Sequence, residues 1–307
     1  MFSKMIIGSV AKPSLVVFSL SRATRVMSSK SLLPGLTKAL PQTSNLIGGR
    51  VRFYKHVDVE HFPAEANDEA DLYGIRLDGR RLKTVQMNNL LVPSEDLAWG
   101  IANEWDHQTD KQRGLQPATM PLTILASKAI DQISVDPTLA HSTILGYLST
   151  DSTLFYTNEQ DRILLAKQKE LLEPIVDYIN DELKINIAKV TGGIIPNKIK
   201  HDDGTFNVMK ALVHSLDPHT LACLQTVTME CKSIILGMAY VLFNKLTVEQ
   251  CRLASRVEEE FQIELWGVVE GGHDMDRLNN AVNLSAAGLY MGLLRSGLAN
   301  NSIGKKK

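Results

Sequence analysis

The run Ile234-Ile235-Leu236-Gly237-Met238-Ala239-Tyr240-Val241-Leu242-Phe243 is the most apolar stretch of a 307-residue chain and lies between Lys232 and Lys245. Its ten residues fall well short of the ~20 that a membrane-spanning helix requires. The run therefore reads as a helix buried on most sides, at the centre of a helical core. Outward from it, apolar residues recur at helical spacing over 122–134, 138–149, 159–184, 206–215, 218–244, 247–265 and 275–295, which predicts an all-α domain over 122–295. Two helix starts are marked by their chemistry: Asp217 precedes Pro218, and Thr247 with Gln250 forms a capping box. The interruption at 189–203, with Gly192-Gly193 and Pro196, reads as a loop or a short strand pair, and 296–307 as a frayed, disordered basic tail.

Towards the N-terminus the period changes. Tyr73-Gly74-Ile75-Arg76-Leu77 and Arg81-Leu82-Lys83-Thr84-Val85 flank Asp78-Gly79, a pair that tolerates the positive φ angles of a tight hairpin. Asn89-Leu90-Leu91-Val92 is a further extended stretch, ending at Pro93. A few hairpin strands alone would be marginal. Ser94 is placed to cap a helix that covers them, with Glu95 and Asp96 near the positive end of its dipole. On that helix Leu97, Ala98, Ile101, Ala102 and Trp105 share one face. The expected fold class is α+β: a small N-terminal β-rich α+β domain over 51–121, followed by a larger all-α C-terminal helical domain.

Charge divides the chain at a different place. The formal net charge is -1, yet residues 1–57 carry nine Lys or Arg and no acid, leaving 24 basic against 34 acidic residues in the remainder. A Ser-, Arg- and Lys-rich leader without acids fits a mitochondrial presequence over 1–50, since an inside-negative potential favours such a segment. A secretory signal is the weaker reading: Arg22 and Arg25 follow the short apolar run Leu15-Val16-Val17-Phe18, and three cysteines cannot close a disulfide set. Removal near Gly49 leaves 27 basic against 34 acidic residues, a body that phosphate backbones repel, which argues against a nucleic-acid partner.

Familiar catalytic signatures are missing from the sequence, among them GxxxxGK[ST], GxGxxG, GxSxG, HExxH and CxxC. Cys223 and Cys231, both on one predicted helix, read as buried core thiols. Glu104-Trp105-Asp106-His107 and Glu270-Gly271-Gly272-His273 are both Glu-x-x-His, the pairing used by carboxylate-bridged di-iron bundles. Two facts oppose a metalloenzyme. His107 falls opposite the Leu97/Ile101/Trp105 face, and two glycines, at about 1 kcal/mol each in a helix interior, make the second pair a loop.

Between Arg256 and Asp276 the features are denser. Val257, Phe261 and Leu265 form an apolar stripe, with Glu259 facing away from it, Glu260 on its flank and Glu258 read as solvated. Gly267 stops the helix after Trp266. Asp274 reads as the N-cap of a last helix whose apolar stripe is Met275, Leu278, Val282, Leu289 and Leu293, with His273 just before the cap. Glu270, an acid beside Trp266 on a connector, is the kind of group that pairs with an Arg or Lys of a partner. Trp99 lies roughly 130° from the centre of its helix's apolar face, so it is expected to pack between the domains or, failing that, to contact a partner.

Taken in order, Glu104-Trp105, the block Pro117-Ala118-Thr119-Met120-Pro121-Leu122-Thr123, and Glu259-Glu260-Phe261-Gln262 leading to Trp266-Gly267, Glu270 and His273-Asp274 resemble the ATP synthase mitochondrial F-one complex assembly factor 2 family. That family chaperones the alpha subunit of the catalytic sector of ATP synthase, and the resemblance covers about residues 51 to 295. It implies a mitochondrial matrix protein without enzymatic activity or cofactor, one that shields alpha-subunit surface until the beta subunit arrives. It also implies a functional acid near the end of the helical domain, placed by position on Glu270 with Glu259 and Glu260 as fallbacks. Where the family often has Glu-Trp-Ala-His-Asp, this chain has Glu270-Gly271-Gly272-His273-Asp274 and lacks the aromatic. The candidate partner-binding residues are then Glu270, Glu259, Glu260, Trp266, His273, Asp274, Trp99 and Glu104, on an expected monomer with no membrane span. A carboxylate-bridged helical metalloenzyme and a matrix scaffold with another client are the alternatives.

Overall fold

The computed structural model describes residues 51–64, 71–108, 114–192 and 198–304; the expected leader and Pro196 lie outside them. Strands β1 (Val57–Phe62) and β2 (Leu72–Leu77) pair antiparallel, with Val57 opposite Leu77 and Phe62 opposite Leu72. Asp78 (φ 48°) and Gly79 (φ 79°) make the expected turn into β3 (Arg80–Arg81). That strand ends earlier than the expected Val85. Thr84 and Asn88 close a turn instead, Val85 and Met87 stand exposed on it, and the buried Asp131 accepts from the Thr84 hydroxyl (2.5 Å) and the Asn88 amide (2.9 Å). β4 (Leu91–Val92) returns to β2, which is therefore the strand the others share.

Helix α1 (Glu95–Asp106) starts as expected, Ser94 Oγ accepting from the Leu97 N–H, and buries Leu97, Ala98, Ile101, Ala102 and Trp105. It is followed by α2 (Pro121–Lys128), which runs into a π-helical turn at Ala129–Ile133, and by α3 (Thr138–Tyr147). α4 (Arg162–Leu183) separates β5 (Phe155–Tyr156) from β6 (Val190–Thr191), and the two strands pair in parallel, placing a short strand in the expected interruption. α5 (Asp203–His214) and α6 (Pro218–Cys231) follow, Asp217 capping the latter. The described residues belong to one compact unit.

Three helices depart from their periodic pattern. The stretch 218–244 is not continuous: Lys232 adopts φ 53°, Ser233 caps the Leu236 N–H, and the apolar run becomes α7 (Ile234–Gly237) plus a π-helical turn at Met238–Leu242. The run is nonetheless buried, and the fully buried Asp151 anchors it by accepting from the Ile235 N–H at 3.1 Å. Burial pushes that carboxyl above the ordinary range. The stretch 247–265 divides at the buried Arg256 into α8 (Val248–Ser255), with its Thr247/Gln250 capping box formed, and α9 (Val257–Trp266). After that break the inward residues of α9 are Val257, Phe261 and Ile263, and Leu265 is exposed. Finally α10 (His273–Gly304) begins before the expected Asp274 cap and continues past 295. None of the helices among the described residues is long and apolar enough to cross a membrane.

The core holds one titrating group that should report on its integrity. His219 at the start of α6 meets the fully buried Tyr290 of α10, Nδ1 to Oη 2.6 Å, and burial lowers the His219 pKa. A histidine depressed in the folded state takes up its proton more readily when unfolded. Its contribution is complete above the unfolded value of about 6.5 and is lost as pH falls from there towards the folded value. His141, lowered by burial and by the stacked His214 ring at 4.0 Å, acts in the same sense. Denaturant unfolding should therefore show lower stability at about pH 5.5 than at about pH 7.5, with His219→Gln reducing the difference; an unchanged difference would remove His219 from the explanation.

Candidate partner-binding surface

The apolar stripe of an amphipathic helix ordinarily faces the core. On α10 it does not. Leu284, Ala287, Tyr290, Met291 and Leu294 are buried, whereas Met275, Leu278 (59% exposed), Val282 and Leu289 (55%) face solvent. At about 100° per residue these two sets lie on opposite sides of the helix. α10 is thus apolar on both faces, and the one carrying Leu284, Ala287, Tyr290, Met291 and Leu294 closes on the core, with Gly288 at its edge against Tyr240. Each large apolar side chain left in water forgoes roughly 1.5–3 kcal/mol of burial, so a stripe of this length, about 21 Å from Met275 to Leu289 at 1.5 Å per residue, is a surface suited to covering by a partner.

Further along α10 the stripe opens into a groove of about 820 Å³ between α1, α2 and α10, lined largely by Trp99, Pro121, Leu122, Val282, Leu289 and Leu293. Trp99 is not packed away between the domains as first expected. It is 51% exposed, and its indole N–H reaches only Glu95 of its own helix, at 3.3 Å.

Glu104 and Glu260 are engaged within the fold. The Glu104 carboxylate accepts from the Leu122 N–H (2.6 Å), the Thr123 N–H (2.8 Å) and the Thr123 hydroxyl (2.8 Å), satisfying the first turn of α2, where Pro121 supplies no N–H. Its pKa is raised by burial, against the opposing pull of those donors. Glu260 accepts from Arg277 Nε at 2.8 Å and from Arg277 Nη2, with Arg252 at 3.5 Å and Arg256 at 3.6 Å, so it ties α9 to α8 and α10. The bond to Arg277 holds its carboxyl below the usual range. Glu258, read as solvated, accepts from Gln168 Nε2 at 2.9 Å.

The connector between α9 and α10 gathers most of the other candidates. Trp266 is 78% exposed, with Val268 and Val269 exposed beyond it. Glu270 is exposed and makes no hydrogen bond or ion pair among the described residues. His273 Nδ1 accepts from the Val269 N–H at 3.3 Å, and Asp274 is exposed in the first turn of α10. Glu259 lies 3.9 Å from Lys232 and, with His273, borders a separate polar pocket. Among the described residues no group of three or more His, Cys, Asp and Glu is placed to hold a metal ion. Cys223 is buried, and Cys231 and Cys251 are buried as thiols 3.7 Å apart.

Residues 51–180 match the model of a family described as ATP12 chaperone protein. The mitochondrial protein atp12 of Schizosaccharomyces pombe is 30% identical over 223 residues, which span 69% of this chain and 75% of that protein. The chain belongs to the ATP12 chaperone family. A second ATP12 relative, the mitochondrial protein of Saccharomyces cerevisiae, is 27% identical over 240 residues, 66% of this chain and 73% of that one. The crystal structure of Atp12 from Paracoccus denitrificans superposes with a TM-score of 0.69 at 27% identity, covering 80% of this chain and 98% of that one. The ATP12 fold is thus a small N-terminal sheet region with a mostly helical remainder, as expected for the α+β class.

Proposed function

We propose that the chain is a non-catalytic chaperone of the mitochondrial matrix that binds the unassembled alpha subunit of the ATP synthase catalytic sector, prevents its aggregation and delivers it to the beta subunits. The observation that carries this reading is the outward apolar face of α10 with the Trp99 groove, on a chain of the ATP12 chaperone family. An unassembled subunit exposes apolar surface, and a rigid apolar stripe with a polar rim masks it reversibly. Glu270, unpaired beside Trp266 at one end of the stripe, supplies a charge for a basic group of the client. The protein acts as a monomer, without cofactor or nucleic acid.

The test is a pull-down from mitochondria with and without fresh alpha-subunit synthesis. Enrichment of the alpha subunit that disappears when its synthesis stops is the expected result. Enrichment of a different protein alone would make the chain a scaffold for another client. In the same assay Glu270→Lys should weaken capture with the fold intact; undiminished capture would exclude Glu270 from the contact.

A further inference from the structure

A polar pocket of about 450 Å³ lies between the end of α6, the α8–α9 junction and the first turns of α10. Its floor contains Asn280, 2% exposed, whose Oδ1 is buried without a hydrogen-bond donor. A buried acceptor left unpaired costs roughly 1–3 kcal/mol, and in a fold where most buried polar atoms are bonded it marks a place where a donor arrives from outside.

The charges around it indicate what kind of donor. Arg256, buried on one wall with its Nε unbonded, lies 3.6 Å from Glu260, a carboxylate already bonded to Arg277, and Lys232 lies 3.9 Å from Glu259. Two further carboxylates lack a cation: Glu230 accepts only the neutral Asn283 amide, at 2.9 Å, and Asp276 has no side-chain partner among the described residues. The lining thus carries three carboxylates, Glu230, Glu259 and Asp276, against Lys232 and Arg256, leaving an excess of negative charge beside the amide oxygen. That set suits a group carrying several N–H donors on a delocalised positive charge. Asp276, Asn279 and Asn283 also follow directly on Met275, Leu278 and Val282 in the helix, so the pocket flanks the outward stripe.

We propose that this pocket receives an arginine side chain of the bound client, its guanidinium reaching Asn280 Oδ1 and the carboxylates of Asp276 and Glu230. The proposal rests on the chaperone reading above and adds to it a site of charge recognition beside the apolar contact. Lys232, with its side chain 70% exposed, is a cation on the rim of the same pocket and competes for its acids.

The probe is N-acetylarginine amide, titrated into the full chain while the side-chain amide resonances of Asn279, Asn280 and Asn283 are followed. N-acetylcitrulline amide, of similar shape without the charge, is the control. The arginine compound should bind at least about tenfold tighter than the citrulline one. Glu230→Gln with Asp276→Asn, both close in shape to the native residues, should abolish the preference. Lys232→Asn, which keeps a residue tolerant of the left-handed backbone, should strengthen arginine binding. Equal binding of the two probes, or shifts confined to resonances away from the three asparagines, would overturn the proposal. Because the probe needs no client, this outcome is separable from failure of the alpha-subunit assignment, which the pull-down alone decides.

Discussion

A carboxylate placed on the outer stripe of α10 is expected to remove client capture while leaving the fold in place. Leu289 and Val282 are both substantially exposed and both line the Trp99 groove. Leu289→Glu and Val282→Glu therefore put a charge where a bound client would exclude water, and a charge desolvated without a partner costs several kcal/mol. Even at the ~2 kcal/mol typical of a central contact, each variant should lower alpha-subunit recovery by about thirtyfold, and the pair together by more than a hundredfold. The free protein has little to lose, since exposed substitutions usually stay within about 0.5 kcal/mol. Thermal unfolding should thus match the parent. The mirror experiment is Leu294→Glu on the buried face, which should unfold the protein. Full capture by the Leu289→Glu, Val282→Glu double variant would remove the stripe from the client contact.

The second large effect falls on stability. A Cβ built on Gly288 would stand 1.9 Å from Tyr240 Oη and 2.9 Å from its Cζ. Tyr240 is buried on the π-helical turn, and its hydroxyl donates to Leu284 O at 2.9 Å, so it cannot retreat without leaving that hydroxyl buried and unpaired. In an ordinary helix Gly→Ala stabilises by about 1 kcal/mol. Here Gly288→Ala should destabilise: overpacking at about 1–3 kcal/mol and a strained or broken buried hydrogen bond outweigh the propensity gain. A net loss of about 2–4 kcal/mol corresponds to a melting temperature lower by roughly 4–16 °C for a protein of this size. Tyr240→Phe removes the atom in conflict, so the double variant should recover part of the loss, a positive coupling in a double-mutant cycle. A more stable Gly288→Ala protein would show that α10 and the π-helical turn do not meet this closely.

Local chemistry carried much of the fold in readable form. Asp78-Gly79, the Ser94 cap, the Thr247/Gln250 box and the α1 face Leu97/Ala98/Ile101/Ala102/Trp105 each depend on neighbours a few residues away, and each is formed. Periodicity was less informative where non-local contacts decide. It joined α6 to the apolar run because it cannot register that Lys232 turns left-handed and Ser233 starts a new helix. It ran through Arg256 because a buried arginine fits the pattern of a polar flank until Glu260 is known to lie against it. The largest departure concerns the candidate site itself. Met275, Leu278, Val282 and Leu289 made the more conspicuous stripe, but Leu284, Ala287, Tyr290, Met291 and Leu294 recur at the same spacing. A single sequence states that a helix has two apolar faces; only the shape of the core selects which of them is buried. Glu104 and Glu260 entered as candidate partner-binding acids through the family resemblance, and their backbone and arginine partners lie too far along the chain for spacing to reveal.

A helix that offers apolar surface to a client offers it equally to another copy of itself. Two chains meeting stripe to stripe would cover Leu278, Val282 and Leu289 as readily as a subunit in transit does. Solubility of the free chaperone must then come from elsewhere, and residues 58–307 supply it with their 34 acids against 24 bases. Like-charged bodies hold one another off over about 8 Å at physiological ionic strength, whereas a body with a basic surface would be drawn in. The acidic surface thus works as a filter on encounter: it delays homotypic contact and leaves the greasy face of α10 free for a partner of opposite sign.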